Sequence, residues 1–284
     1  MKLRSNTLFK VSKLFESKKW RIENVESISS LFYRYCERLK LLSENEQDFI
    51  IEISKNYERV ELNIYLESFY DSLILIGDKY FNKYENIYIF PLLKPEASYS
   101  KTKSAGFLHY MLDSDEYRWL SENITVTHNV NHLKKFNVEK DFLIFIDDYV
   151  GSGETVIESI NSFLDINNLR PIIPINNIKV VSIAAQELGI KYVKSNLGID
   201  VIANKVLKRG ITDFYDDFEA KKNIMRQISK KIDVNSDMEL GYKECEGLIT
   251  MLQKTPNNTF PIYWKETRNK VAPFPRYKNY KKNG

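Results

Sequence analysis

Residues 142–156 constrain the fold more than any other stretch: Phe142-Leu-Ile-Phe-Ile-Asp147-Asp148-Tyr149-Val150-Gly151-Ser152-Gly153-Glu154-Thr155-Val156. Residues 142–146 are all apolar, as in a central parallel strand covered on both faces. From Val156 to Leu164 the apolar residues Val156, Ile157, Ile160, Phe163 and Leu164 return at helical spacing. A strand, two carboxylates, a Gly/Ser/Thr turn and a helix therefore follow one another. Backbone amides of a turn opening a helix point outward, where the helix dipole favours an anion such as phosphate. Glycines let that backbone approach its ligand closely. Two carboxylates beside the turn accept hydrogen bonds from vicinal hydroxyls, and a 5-phosphorylated ribose carries both groups.

Other readings of the run were weighed. A P-loop needs Gly-Lys-Ser/Thr, but Glu154 follows Gly153. A dinucleotide fingerprint wants a third glycine near 156 and its acid about twenty residues downstream, whereas here the acids come first. The bland alternative is a structural turn with an Asp that caps the next helix.

Ile146-Asp-Asp-Tyr-Val-Gly-Ser-Gly-Glu-Thr155 resembles the phosphoribosyl pyrophosphate signature of type I phosphoribosyltransferases, with Asp147, Asp148, Gly153 and Thr155 at the expected positions. Ser152 is an accepted variant; Gly151 stands where Thr is more usual and Tyr149 where a smaller aliphatic is. The resemblance implies that Asp147 and Asp148 hold the ribose hydroxyls. It also implies that Val150, Gly151, Ser152, Gly153, Glu154 and Thr155 hold the 5-phosphate.

A chain of 284 residues, 43% hydrophobic and 28% charged, can bury a large core. Cys36 and Cys245 lie far apart, so neither a disulfide framework nor a zinc site is expected. His128 and His132 have the spacing of a metal-binding pair but lack a third ligand, which favours a surface reading and no protein-held metal. No run of 18 apolar residues and no leader-like h-region occurs, so a cytoplasmic protein without membrane contact is expected. A net charge of +4 does not announce a nucleic-acid binder.

The chain reads as α/β: a parallel open sheet with crossover helices, a helical N-terminal extension over 1–85, a core over 86–235, and a C-terminal hood with a basic tail over 236–284. Segments 26–42, 44–60 and 62–83 carry apolar residues at three and four spacing, with Ser43 and the acids of 44–48 as a start signal. Tyr57, Tyr65, Phe69, Tyr70 and Tyr80 are read as packing residues rather than a base-stacking platform. Strands are expected at 87–92, 123–126, 142–146, 180–184 and 201–203. Helices are expected at 105–120, 153–165, 185–194 and 217–231.

Two further loops carry charge. After the first strand, Lys101, Lys103 and Ser104 precede a helix, and in an open parallel sheet this loop leaves the same edge as the acidic pair. The resemblance implies that it binds the pyrophosphate; a solvated lysine loop is the equal alternative. The stretch 208–215, Lys-Arg-Gly-Ile-Thr-Asp-Phe-Tyr, is either near the pyrophosphate or acceptor, or a turn rich in capping residues.

The C-terminal block, with Gly241-Tyr242, Thr255-Pro-Asn-Asn258 and Pro261-Ile-Tyr-Trp264, is similar to a subset of phosphoribosyltransferase-like proteins of bacterial conflict and antiphage loci, some including retrons. Thr255–Asn258 reads as a turn and 260–264 as an edge strand that could hood the sugar site. From Lys265 onward seven Lys or Arg and one Glu interleave with aromatics, which suits either a nucleic-acid contact or a solvated terminus. The resemblance implies displacement at C1 of phosphoribosyl pyrophosphate, with magnesium held mostly by substrate oxygens. Partners would be protein or nucleic-acid products of the same locus, and oligomers are allowed. A non-catalytic sensor or scaffold that binds a phosphoribosyl ligand is the alternative.

Overall fold

A computed structural model of the chain describes residues 3–23, 29–93, 104–112, 123–252, 254–267 and 269–276. In chain order its helices and strands are α1 (Ser5–Ser17), α2 (Leu31–Leu39), α3 (Glu44–Ile53), β1 (Glu58–Val60), α4 (Leu62–Ile74), α5 (Asp78–Phe81), β2 (Asn86–Pro91), α6 (Ser104–Leu112), β3 (Ile124–Val126) and β4 (Asp141–Val150). They continue with α7 (Glu154–Ile166), β5 (Ile178–Gln186), α8 (Glu187–Leu197), β6 (Asp200–Leu207), α9 (Phe218–Lys231) and β7 (Ile249–Met251).

These elements form two compact units, residues 62–207 and residues 1–61 with 208–284. The division differs from the consecutive segments 1–85, 86–235 and 236–284 expected from sequence. The reason is packing: α4 lies on β5 and β6, so it belongs to the sheet. Helix α9 instead buries Met225 and Ile228 in the core of the terminal unit.

The sheet unit is an α/β fold with strand order β3-β2-β4-β5-β6, every neighbouring pair parallel. Strand order turns back between β2 and β4, which makes their carboxyl ends the switch point where open α/β sheets bind ligands. Phe142 to Ile146 are at most 1% exposed, as the uninterrupted apolar run required. At about 1.5–3 kcal/mol per fully buried large apolar side chain, that pentapeptide anchors the sheet. Leu143 and Phe145 pack with Val156, Ile160 and Leu164 of α7, while Phe142 meets the rings of Tyr80 and Tyr84 at 5.2 and 4.9 Å.

The terminal unit is built around aromatic residues. Tyr57 stacks on Phe274 at 4.7 Å and lies against Tyr263 at 4.5 Å, and the Ser54 hydroxyl bridges those of Tyr35 and Tyr263 at 2.6 and 2.7 Å. Tyr57 is buried here, as are Tyr65 and Phe69 in the sheet unit, in keeping with a packing role, while Tyr70 and Tyr80 of the sheet unit are half-buried. Helix α3 starts where Ser43 signals it, with the Glu46 carboxylate accepting from the Ser43 N–H at 2.7 Å.

Two local expectations are corrected. The helix expected over 44–60 ends at Ile53, and 58–60 is a strand paired in parallel with β7, Glu58 opposite Ile249. Its partner lies far along the chain, beyond the reach of local periodicity. The edge strand expected at 260–264 is a 3-10 turn over Pro261–Tyr263. Pro261 at its first position fixes φ and removes a ladder donor, and the Trp264 indole donates to the Thr259 carbonyl at 2.7 Å. Among the described residues no helix is long and apolar enough to cross a membrane.

Candidate functional site

Strand β4 delivers Asp147 and Asp148 to the carboxyl edge of the sheet. Both are half-buried, between a strand that is wholly core and a turn that is partly open. The Asp147 carboxylate accepts from the Asp148 N–H at 2.9 Å, while β5 holds the strand in register with Asp147 opposite Ser182 and Val150 opposite Ala185. On the other side Pro91 of β2 lies opposite Ile146, and the Leu92 N–H donates to the Ile146 carbonyl at 2.9 Å. The chain after β2 therefore leaves the sheet directly beside the acidic pair, at the switch point.

The turn that follows is held by glycines. Gly153 is the N-cap of α7 at φ +85°, a conformation that costs other residues, and it offers no side chain to cap the helix. The amides of Glu154, Thr155 and Val156 are the first three of α7, so no carbonyl one turn back can receive them. Thr155 is exposed, Gly151, Ser152 and Glu154 are half-buried, and the Val150 side chain is packed in the core, which leaves that residue only its backbone to offer. A helix N-terminus of this kind, with a dipole of about half a positive charge, favours an anion, and here two carboxylates end the strand just before it.

Two residues in this unit, Gly189 and Gln186, are absent from the sequence reading, and a third, Tyr65, enters it only as a packing residue. Gly189, in the first turn of α8, packs on the turn so closely that a Cβ would sit 2.0 Å from the Gly151 carbonyl oxygen. A glycine inside a helical stretch was its signal. Tyr65 of α4 is fully buried beside the acidic pair. Burial first, then the charges of Asp148 and Asp147, push its phenol pKa well above the usual range. Gln186, the last residue of β5, is fully buried with neither side-chain amide atom hydrogen-bonded. Nothing in the spacing of Tyr65 or Gln186 distinguishes either from an ordinary core or surface position.

Lys101 and Lys103 lie outside the described residues, and Ser104 is the first residue of α6. The 208–215 stretch belongs to the terminal unit and is a self-satisfied turn. The Glu246 carboxylate accepts from the Ile211 and Thr212 amides at 2.9 and 2.7 Å and from the Thr212 hydroxyl. Asp213 pairs with Arg209 at 2.9 Å. Among the described residues no three His, Cys, Asp or Glu gather to hold a metal. The His109 and His128 rings pack together at 3.7 Å, while His132 lies 6.1 Å from the Tyr88 ring. Cys36 and Cys245 are buried and not joined in a disulfide, and the Asn258 side-chain amide donates to the Cys245 sulfur at 3.2 Å.

The fold and this strand-turn-helix edge agree with what comparison finds. No curated protein and no solved structure matches the chain. The sequence profile of the PRTase-CE family matches residues 20–278, which takes in β4, the acidic pair and the turn into α7. With that match covering most of its length, the chain belongs to the PRTase-CE family, a phosphoribosyltransferase-like family.

Proposed function

We propose that the chain binds 5-phosphoribosyl 1-pyrophosphate, with magnesium, and transfers or cleaves the phosphoribosyl group on an acceptor as an effector of bacterial antiphage defence. The observation that carries this reading is one continuous stretch: two half-buried carboxylates at the switch point, followed directly by an uncapped helix N-terminus over left-handed Gly153. The 5-phosphate sits on the amides of residues 151–155, and the vicinal hydroxyls donate to Asp147 and Asp148. Displacement breaks the C1–pyrophosphate bond and forms a C1–acceptor bond. Positive charge develops on the ring in between, close to the two carboxylates, which stabilise it. One of them is placed to take a proton from an attacking nitrogen or oxygen.

The donor set suits a substrate-held cation: two adjacent carboxylates are too few to cage magnesium alone but enough to complete a shell of diphosphate and ribose oxygens. When bound, magnesium neutralises charge on the leaving diphosphate. Lys101, Lys103 and Ser104, which follow β2 in the sequence, are assigned to that diphosphate on the resemblance to type I phosphoribosyltransferases. The defence setting, and with it partners from the same locus, rests on the resemblance of the C-terminal block.

Thermal shift with phosphoribosyl pyrophosphate and magnesium, followed by pyrophosphate release in the same sample, tests the proposal. A rise in Tm of several degrees that disappears in Asp147→Asn/Asp148→Asn, together with release, is the expected result. Binding without release in the presence of acceptors would favour a sensor. No shift at all would overturn the phosphoribosyl assignment.

A further inference from the structure

Helix α4 precedes every strand of the large sheet, yet one of its side chains reaches the acidic pair. Tyr65 is 0% exposed, and its hydroxyl has no hydrogen bond of regular geometry. An O–H buried without a partner is costly, and a fold rarely leaves one idle. The charges of Asp148 and Asp147 act on the phenol, and the Asp148 carboxylate is within side-chain reach of its hydroxyl although the contact falls short of regular hydrogen-bond geometry. The ring itself is fixed. Helix α4 packs on β5 and β6, and the Tyr65 ring lies 5.9 Å from that of Phe107 on α6, the helix that follows the 94–103 segment.

We propose that Tyr65 is a positioning residue, whose buried hydroxyl donates to Asp148 when the sugar binds and holds that carboxylate toward the vicinal hydroxyls. The inference rests on the phosphoribosyl reading and adds to it an active-site element outside the signature. A phenol, whose ordinary pKa is about 10, carries its proton near neutral pH and is a suitable donor. A loose contact in the free protein that tightens in the complex is common at catalytic hydrogen bonds. Tyr65 touches the carboxylate and not the substrate, so it acts on the hydroxyl end of the ligand and leaves the phosphate end alone.

Tyr65→Phe removes only the hydroxyl. Calorimetric titration with ribose 5-phosphate and with 2-deoxyribose 5-phosphate separates the two ends of the ligand. Wild type is expected to prefer the ribose compound by about tenfold or more, as loss of a hydrogen bond to a charged group implies. In Tyr65→Phe the preference should collapse toward unity while affinity for the deoxy compound holds. In an Asp148→Asn background the Tyr65 change should add nothing.

A merely structural tyrosine would lower the Tm of Tyr65→Phe and leave the preference intact, which would overturn the proposal. If the variant is too unstable to titrate, a preference retained in Asp148→Asn alone would overturn it equally. Failure of wild type to bind either sugar phosphate would instead remove the phosphoribosyl reading, and this inference with it.

Discussion

Two turns in this chain have nearly the same chemical make-up and opposite fates. The turn at 151–155 and the stretch at 208–215 each combine glycine, hydroxyl and charge after a strand of the parallel sheet. At 208–215 the amides of Ile211 and Thr212 are filled by Glu246, a carboxylate with no exposed surface whose charge is balanced by Lys222 at 3.3 Å. At 151–155 the cap residue has no side chain to cap the helix, and two half-buried carboxylates end the strand just before it. A turn whose donors are already taken by the protein is a piece of scaffold. One that opens a helix without a side-chain cap, directly after two carboxylates, is the site proposed for the sugar phosphate. The deciding partner, Glu246, is more than thirty residues from the turn it closes, so composition alone could not separate the two.

The largest effect is expected where the internal partner is removed. Glu246→Ala strips two amides and a hydroxyl of their acceptor and leaves Lys222 only its longer pairing with exposed Glu219 at 3.7 Å, so it should destabilise the protein by about 3–5 kcal/mol in urea unfolding. A loss below about 1 kcal/mol would mean that the 208–215 turn is not held this way.

Next comes the open turn. Gly189→Ala forces a Cβ into the Gly151 carbonyl, which should cost roughly 1–3 kcal/mol of stability. It should also weaken binding of a sugar phosphate by about tenfold or more, read by titration, since two or three aligned amides act together. Unchanged affinity in a folded variant would separate α8 from the site.

Gly153→Ala places a Cβ at φ +85° and 2.8 Å from the Gly189 carbonyl oxygen. The left-handed backbone alone accounts for about 1–2 kcal/mol in unfolding. An Ala variant as stable as wild type would mean that the turn relaxes to another conformation.

The smallest effect is a dependence on pH in the closed turn. Burial tends to raise the Asp213 pKa, but the side-chain and backbone hydrogen bonds from Arg209 outweigh it and hold the carboxyl below its ordinary value. A carboxylate with a depressed folded-state pKa contributes stability that is present above its unfolded pKa, about 4, and is lost as pH falls through the folded value. The pair is partly exposed, so the contribution is a few tenths of a kcal/mol. Asp213→Asn should lower stability by those few tenths of a kcal/mol near neutrality and flatten the fall below about pH 4, where the two proteins converge. Equal acid sensitivity in the two proteins would assign the effect elsewhere.

What could be read from the residues followed the range of the forces involved. The apolar run 142–146, the spacing of α7 and the glycines of the turn are local signals, and they placed the acidic pair correctly at the end of a central strand. Ser43 and Glu46 marked a helix start by local capping for the same reason. Pairing of β1 with β7 depends on residues nearly two hundred positions apart, and the stretch 58–60 reads as helix until that partner is seen. Pro261 turned an apolar segment into a 3-10 turn that hydrophobicity alone scored as strand. Gly189 is the instructive omission, an ordinary helical residue by spacing that packs on the Gly151 carbonyl, and Tyr65, read as a packing residue, is buried with the charges of the acidic pair acting on it.

The central claim is that the 151–155 turn is a ligand site while its chemical counterpart at 210–212 is not. Backbone amide NMR of the isotope-labelled protein during titration with ribose 5-phosphate tests this most directly. Shifts confined to the amides of residues 151–156 and to Asp147 and Asp148, saturating together, with Gly210, Ile211 and Thr212 unmoved, are the expected result. Saturating shifts at 210–212, or none at 151–156, would contradict it.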